Sequence, residues 1–204
     1  QPANIDIFVS SAENVTYGDY LFIGITTIEG PSTLENVIVR ISNDTKTVYN
    51  MVLNVTDFDE LMIPVDFAPG IYSVVVTVPD QGDNYYGESE VWDLTVNKIN
   101  VTDDITIEGS KITYGENGTI TLELPDVYSN ASGTVTVELI GVNGIWTVDL
   151  TDGYAVVEIP GLAGNATYSL QSLVYSGDDY YETDYVPEEY AELNDNIECI
   201  SITN

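Results

Sequence analysis

The 204 residues carry 34 acidic against 4 basic side chains, no histidine, and a formal net charge of −30 at pH 7, with 44% apolar residues. Such a chain folds, repels phosphate backbones and anionic membrane surfaces, and lacks the imidazole needed by Ser-His-Asp or Cys-His hydrolases and by His-built zinc or copper sites. One cysteine, Cys199, excludes any intrachain disulfide, and no stretch approaches the roughly 18 consecutive apolar residues of a membrane helix.

Gln1 opens without the basic and apolar regions of a signal peptide, as a mature or excised fragment does. A first strand is expected over 5–9, followed by the segment Asn14-Val15-Thr16-Tyr17-Gly18-Asp19. Period-2 runs of β-branched and aromatic residues then predict strands over 20–27, 36–42, 47–55, 60–65, 71–78 and 90–96. A turn at Pro69-Gly70 and the segment Gly82-Asp83-Asn84-Tyr85-Tyr86 punctuate them. About seven short strands is the count of an immunoglobulin-like sandwich.

The chain then repeats itself. Lys111-Ile112-Thr113-Tyr114-Gly115-Glu116 returns the first landmark, its Tyr-Gly pair shifted by 97 positions, and Gly177-Asp178-Asp179-Tyr180-Tyr181 returns the second. From the first landmark tyrosine to the last is 69 residues in one copy and 67 in the other, so the separation is held and the chain reads as a duplication. Between these landmarks strands are predicted over 118–124, 134–139, 145–150, 154–159 and 167–174, with turns at Asn143-Gly144, Asp152-Gly153 and Ala163-Gly164. The fold class is therefore all-β, as two tandem immunoglobulin-like β-sandwich domains. The boundary falls at about Lys98-Ile99, giving repeat 1 over 1–98 and repeat 2, with a C-terminal extension, over 99–204.

Tyr72 and Tyr168 each open a strand after a glycine turn, which fits either a tyrosine corner or an ordinary core tyrosine. Pro187 to Leu193 reads as a short helical turn or a charged connection. The strand expected over 197–203 mixes apolar and polar residues on both faces, so neither is marked as the buried one.

The segments 112–119, 152–160 and 175–181 resemble the bacterial-type immunoglobulin-like repeats of large adhesin-like surface proteins in methanogenic archaea, closely over 99–186 and loosely over 1–98. The resemblance implies a non-catalytic stalk or adhesion module on the outside of a cell, with no catalytic or cofactor residue to carry over. It names no ligand. The partners expected of such a module are a protein or glycan on a host or neighbouring cell, or other copies of itself.

Seven Asn-x-Ser/Thr sequons start at Asn14, Asn43, Asn54, Asn100, Asn117, Asn130 and Asn165. The composition gives about 3 by chance, so the excess favours a glycosylated exterior. No insertion interrupts the strands to form a catalytic cleft, so the 34 acidic residues are not read as a glycosidase's carboxylate pair. Hard oxygen ligands make calcium the one metal to consider, at Asp57, Asp59, Glu60, Asp103, Asp104, Asp178 and Asp179, yet no EF-hand spacing appears and solvated charge is the preferred reading. The pairs Tyr85-Tyr86 and Tyr180-Tyr181 suggest sugar stacking, but neighbours on a strand point to opposite faces, so one of each pair is expected in the core. A lysine-to-asparagine isopeptide cross-link has only Lys46, Lys98 and Lys111 as amine donors. The competing structural reading is a filament subunit assembled by strand exchange, using the segment after Val186 that contains Cys199.

Overall fold

The computed structural model describes residues 3–4, 6–29, 35–55, 60–79, 85–88, 91–184 and 200–203, and the chain divides into two compact units, Gln1–Lys98 and Ile99–Asn204. In the first unit the strands are β1 (Ala3–Asn4), β2 (Asp6–Ser11), β3 (Asn14–Thr16), β4 (Tyr20–Glu29), β5 (Asn36–Ser42), β6 (Thr47–Asn54), β7 (Glu60–Pro64), β8 (Gly70–Val78), β9 (Tyr85–Glu88) and β10 (Trp92–Asn97). One layer is the antiparallel sheet β2-β4-β7; the other runs β6-β5-β8-β10-β3, with β3 parallel to β10 and β9 extending the edge of β8. Alternation places Leu21, Ile23 and Ile63 of the first layer against Val37, Val39, Ile41, Val74, Val76 and Leu94 of the second in one buried cluster. These are the two packed sheets of an immunoglobulin-like sandwich.

The second unit repeats the plan. Its elements are β11 (Ile99–Asn100), a 3-10 turn (Thr102–Asp104), β12 (Thr106–Gly109), β13 (Lys111–Thr113), β14 (Gly118–Glu123), a second 3-10 turn (Asp126–Tyr128), β15 (Thr134–Leu139), β16 (Trp146–Asp149), β17 (Tyr154–Ile159), β18 (Thr167–Tyr168), β19 (Leu170–Tyr175), β20 (Tyr181–Glu182) and β21 (Ile200–Thr203). Sheet β12-β14-β17 corresponds to β2-β4-β7, and β16-β15-β19 continues across the break at Ser169 through β18 and β21 to β13. Ile120, Leu122, Val157 and Ile159 meet Val135, Val137, Leu139, Leu173 and Ile200 in a second core. Both units are immunoglobulin-like β-sandwiches.

The repeated Tyr-Gly landmark ends a strand in each copy. β3 and β13 pair in parallel with the last strand of their own unit, and the Tyr17 and Tyr114 amides donate to the carbonyls of Asn97 and Thr203, 2.9 and 2.8 Å away. The chain then reverses through Gly18 and Gly115 at φ +88° and +98°, a left-handed conformation that glycine enters without a Cβ penalty. The landmark recurs because the turn demands it.

The final strand departs from expectation. Eleven residues separate Tyr85 from Val96, but twenty-one separate the equivalent Tyr181 from Ile202. The stretch expected as a C-terminal extension is thus an insertion within the last strand of the sandwich, whose end returns to the core. Ile200 and Ile202 are its buried side chains, the Cβ position of Gly118 lying 2.8 and 2.9 Å from two Ile200 methyl carbons. The helical turn expected over 187–193, residues 197–199 with Cys199, and the segment Gly82-Asp83-Asn84 lie outside the described residues.

Candidate functional site

The second landmark organises a turn. In the second unit the Asp178 carboxylate accepts the backbone N–H groups of Tyr180 and Tyr181 on one oxygen (both 2.8 Å), and the N–H (2.8 Å) and hydroxyl (3.0 Å) of Ser132 on the other. Burial opposes its charge, yet the hydrogen bonds from Ser132, Tyr180 and Tyr181 outweigh burial and hold the carboxyl below the usual aspartate range. The Tyr175 hydroxyl donates to the Ser132 carbonyl at 2.7 Å. Burial first, and then the charges of Asp178 and Tyr181, push its pKa up to about 12. Tyr181 is buried edge-on to Tyr128, their ring centres 5.8 Å apart, while Tyr180 is 38% exposed. The backbone of Tyr85-Tyr86 forms β9; their side chains lie outside the described residues.

The remaining calcium candidates are dispersed. Asp57 and Asp59 lie outside the described residues, and Glu60 opens β7, exposed. Asp103 and Asp104 sit in the first 3-10 turn, where Asp104 accepts the Tyr128 hydroxyl at 2.9 Å and that bond raises the tyrosine's pKa. Asp179 is exposed beside Asp178, whose oxygens are already taken by protein donors. Among the described residues no group of three or more His, Cys, Asp or Glu side chains is placed to hold a metal ion.

Tyr72 is buried, donates from its hydroxyl to the Ala68 carbonyl at 2.6 Å, and meets Phe67 edge-on at 5.0 Å. Tyr168 is half-buried and its hydroxyl accepts the Ala163 amide at 3.0 Å. The two hydroxyls therefore tie their strands to the preceding turn with opposite hydrogen-bond polarity.

Six sequon asparagines are exposed and Asn43 is half-buried. Asn43 Oδ1 accepts the Thr45 N–H, the Thr45 hydroxyl and the Lys46 N–H at 2.8 to 3.0 Å, closing the β5–β6 hairpin. Asn100 Oδ1 accepts the Thr102 N–H, and its amide nitrogen donates to Asp184. Asn117 donates to Glu158 at 3.4 Å, and Asn165 adopts φ +52°.

The outward face of β2-β4-β7 is apolar where solvent would be expected. Phe8, Tyr20, Phe22 and Met62 are 58, 50, 49 and 58% exposed, and Phe22 pairs directly across from Met62. Two open hollows lie on this face. A larger one of about 900 Å³ has Phe22, Gly24, Glu60, Met62 and Asn54 among its walls, and a smaller one of about 340 Å³ is bordered by Asn14, Tyr20, Phe22 and Glu60. Gly24 opens the larger hollow: a Cβ there would lie 2.6 Å from the Ser10 hydroxyl oxygen. Sequence reasoning missed this face, and its one signal was a strand, Tyr20-Leu21-Phe22-Ile23, apolar on both sides.

The sequence matches no protein-family model and no curated protein. Among solved structures it is similar to a crystal structure of the chicken CNTN1 FN1-FN3 domains, at 12% identity and a TM-score of 0.36 over 89% of this chain. The chain spans 64% of that structure's length. Fold class here rests on the strand pairing and the two cores described above.

Proposed function

We propose that the chain is a non-catalytic adhesin or stalk module displayed outside a cell, of the kind its resemblance to methanogen adhesin-like repeats implies. The observation that carries this reading is that none of the seven sequon asparagines is buried, so each β-sandwich offers attachment points for glycans without disturbing its core. Sandwich loops supply the contacts, and the partner is a protein or glycan on another cell or a further copy of the chain. The strong negative charge keeps such modules apart in solution. No cofactor is part of this reading, and calcium is the single ion to test.

The experiment is to purify the chain from its native cells, map glycopeptides at the seven sites, and measure retention of chain-coated beads on intact cells of the source and its neighbours. Sugar on the sequons together with retention above that of beads coated with an unrelated acidic protein is the expected result. Bare sequons and no retention overturn the reading.

A second reading, a filament subunit built by strand exchange, is favoured by one observation: Ile200–Thr203 is a short strand with two buried isoleucines. A monomeric mass at all concentrations removes it.

A further inference from the structure

We infer that the apolar outer face of β2-β4-β7 is the bed on which the chain's own N-linked sugars at Asn14 and Asn54 lie. The two hollows on that face share Phe22 and Glu60, and each has a sequon asparagine in its wall: Asn54 in the larger, Asn14 in the smaller. The first sugar residue of a glycan on either side chain is therefore delivered against Phe22. An aromatic ring presents a flat apolar surface to the C–H face of a pyranose, and the Glu60 carboxylate beside it accepts hydrogen bonds from sugar hydroxyls.

The second unit supplies an internal control. Strand pairing matches Tyr20, Phe22, Gly24, Glu60 and Met62 to Asn117, Thr119, Thr121, Val156 and Glu158, and Ser10 to Glu108. The same sandwich thus folds with mostly polar residues at these outward places, so the fold itself does not call for the aromatics. The position of Asn14 is held there by Lys111, which is no sequon. Apolar face and flanking sequon occur together in one copy and are both missing from the other. A net charge of −30 opposes covering the face with a second copy or with an anionic partner, and an uncovered face of this kind would favour aggregation.

The inference rests on the reading of the chain as a glycosylated surface module, and the test separates the two. The full chain is secreted from a yeast host and trimmed by an endoglycosidase to a single N-acetylglucosamine at each occupied site. It is compared with the Asn14→Gln/Asn54→Gln double variant, with Phe22→Ala, and with both changes combined. Glycopeptide mapping is expected to find sugar on Asn14 and Asn54. The stubs are expected to raise the melting temperature of the first unit by about 4 °C and to reduce binding of an apolar dye, and Phe22→Ala is expected to erase the gain. An equal gain with and without the Phe22 ring overturns the proposal, as do occupied sites with no gain. Sugar on other sequons but on neither Asn14 nor Asn54 sinks this inference and leaves the glycoprotein reading standing; no sugar anywhere sinks both.

Discussion

The phenolic hydroxyls of Tyr72, Tyr168 and Tyr175 do three different jobs, and removing one oxygen at a time distinguishes them. Tyr72→Phe leaves the Ala68 carbonyl without its 2.6 Å donor next to a buried ring, and the first unit is expected to lose about 1–2 kcal/mol in urea unfolding. Tyr168→Phe frees the amide of an exposed residue, Ala163, which water can satisfy, so the second unit loses less, about 0.5 kcal/mol. Tyr175 adds a pH signature. Its folded pKa lies near 12, against about 10 for an unfolded tyrosine. The neutral ring therefore stabilises the second unit fully below about pH 10, and that contribution is lost as pH climbs through 12. The urea midpoint should fall across that window, and Tyr175→Phe should make the fall shallower.

Between strands, the Asp178 turn is where one side chain fixes an element. Asp178→Asn keeps the size but loses the charge that gathers four donors, and we expect the second unit to lose about 2 kcal/mol at pH 7. A depressed aspartate stabilises above its unfolded pKa of about 4, and that advantage disappears as pH falls through the folded value. Melting curves of the two chains should therefore converge below pH 4; a constant gap would show that shape rather than charge holds the turn. Much of this architecture could be read from alternation, since runs such as 134–139 and 154–159 show one wet face and one apolar face, and the observed strands have those bounds. The three-residue strands β3 and β13 were illegible as strands, because they exist only through pairing with a final strand some eighty or ninety residues away. The terminal strand's buried side stayed undecided for a related reason: Ile200 and Ile202 declare themselves only when Gly118 provides their space. In β4 both faces are apolar, so periodicity could not show that Leu21 and Ile23 turn inward while Tyr20 and Phe22 face outward, and the outer face went unseen.

Across the whole molecule, each unit has its own core, so chains spanning 1–98 and 99–204 are each expected to unfold in a single cooperative transition. Loss of cooperativity in both pieces, with the full chain still melting sharply, would defeat that expectation. The charge of −30 works against every compact state, so sodium chloride should raise both melting temperatures as screening shortens the Debye length from about 30 Å at 0.01 M to about 10 Å at 0.1 M. A calcium effect that saturates beyond this screening would indicate a bound ion. The late arrival of β21 carries one more consequence. On the ribosome the first sandwich has its closing strand as soon as Asn97 has emerged, whereas β13 waits for Ser201 and Ile202. Until residue 203 clears the exit tunnel, the nascent second sandwich has an unfilled slot beside Gly118 and Leu162, so translation order makes the first unit a finished body while its successor is still open to proteases and chaperones.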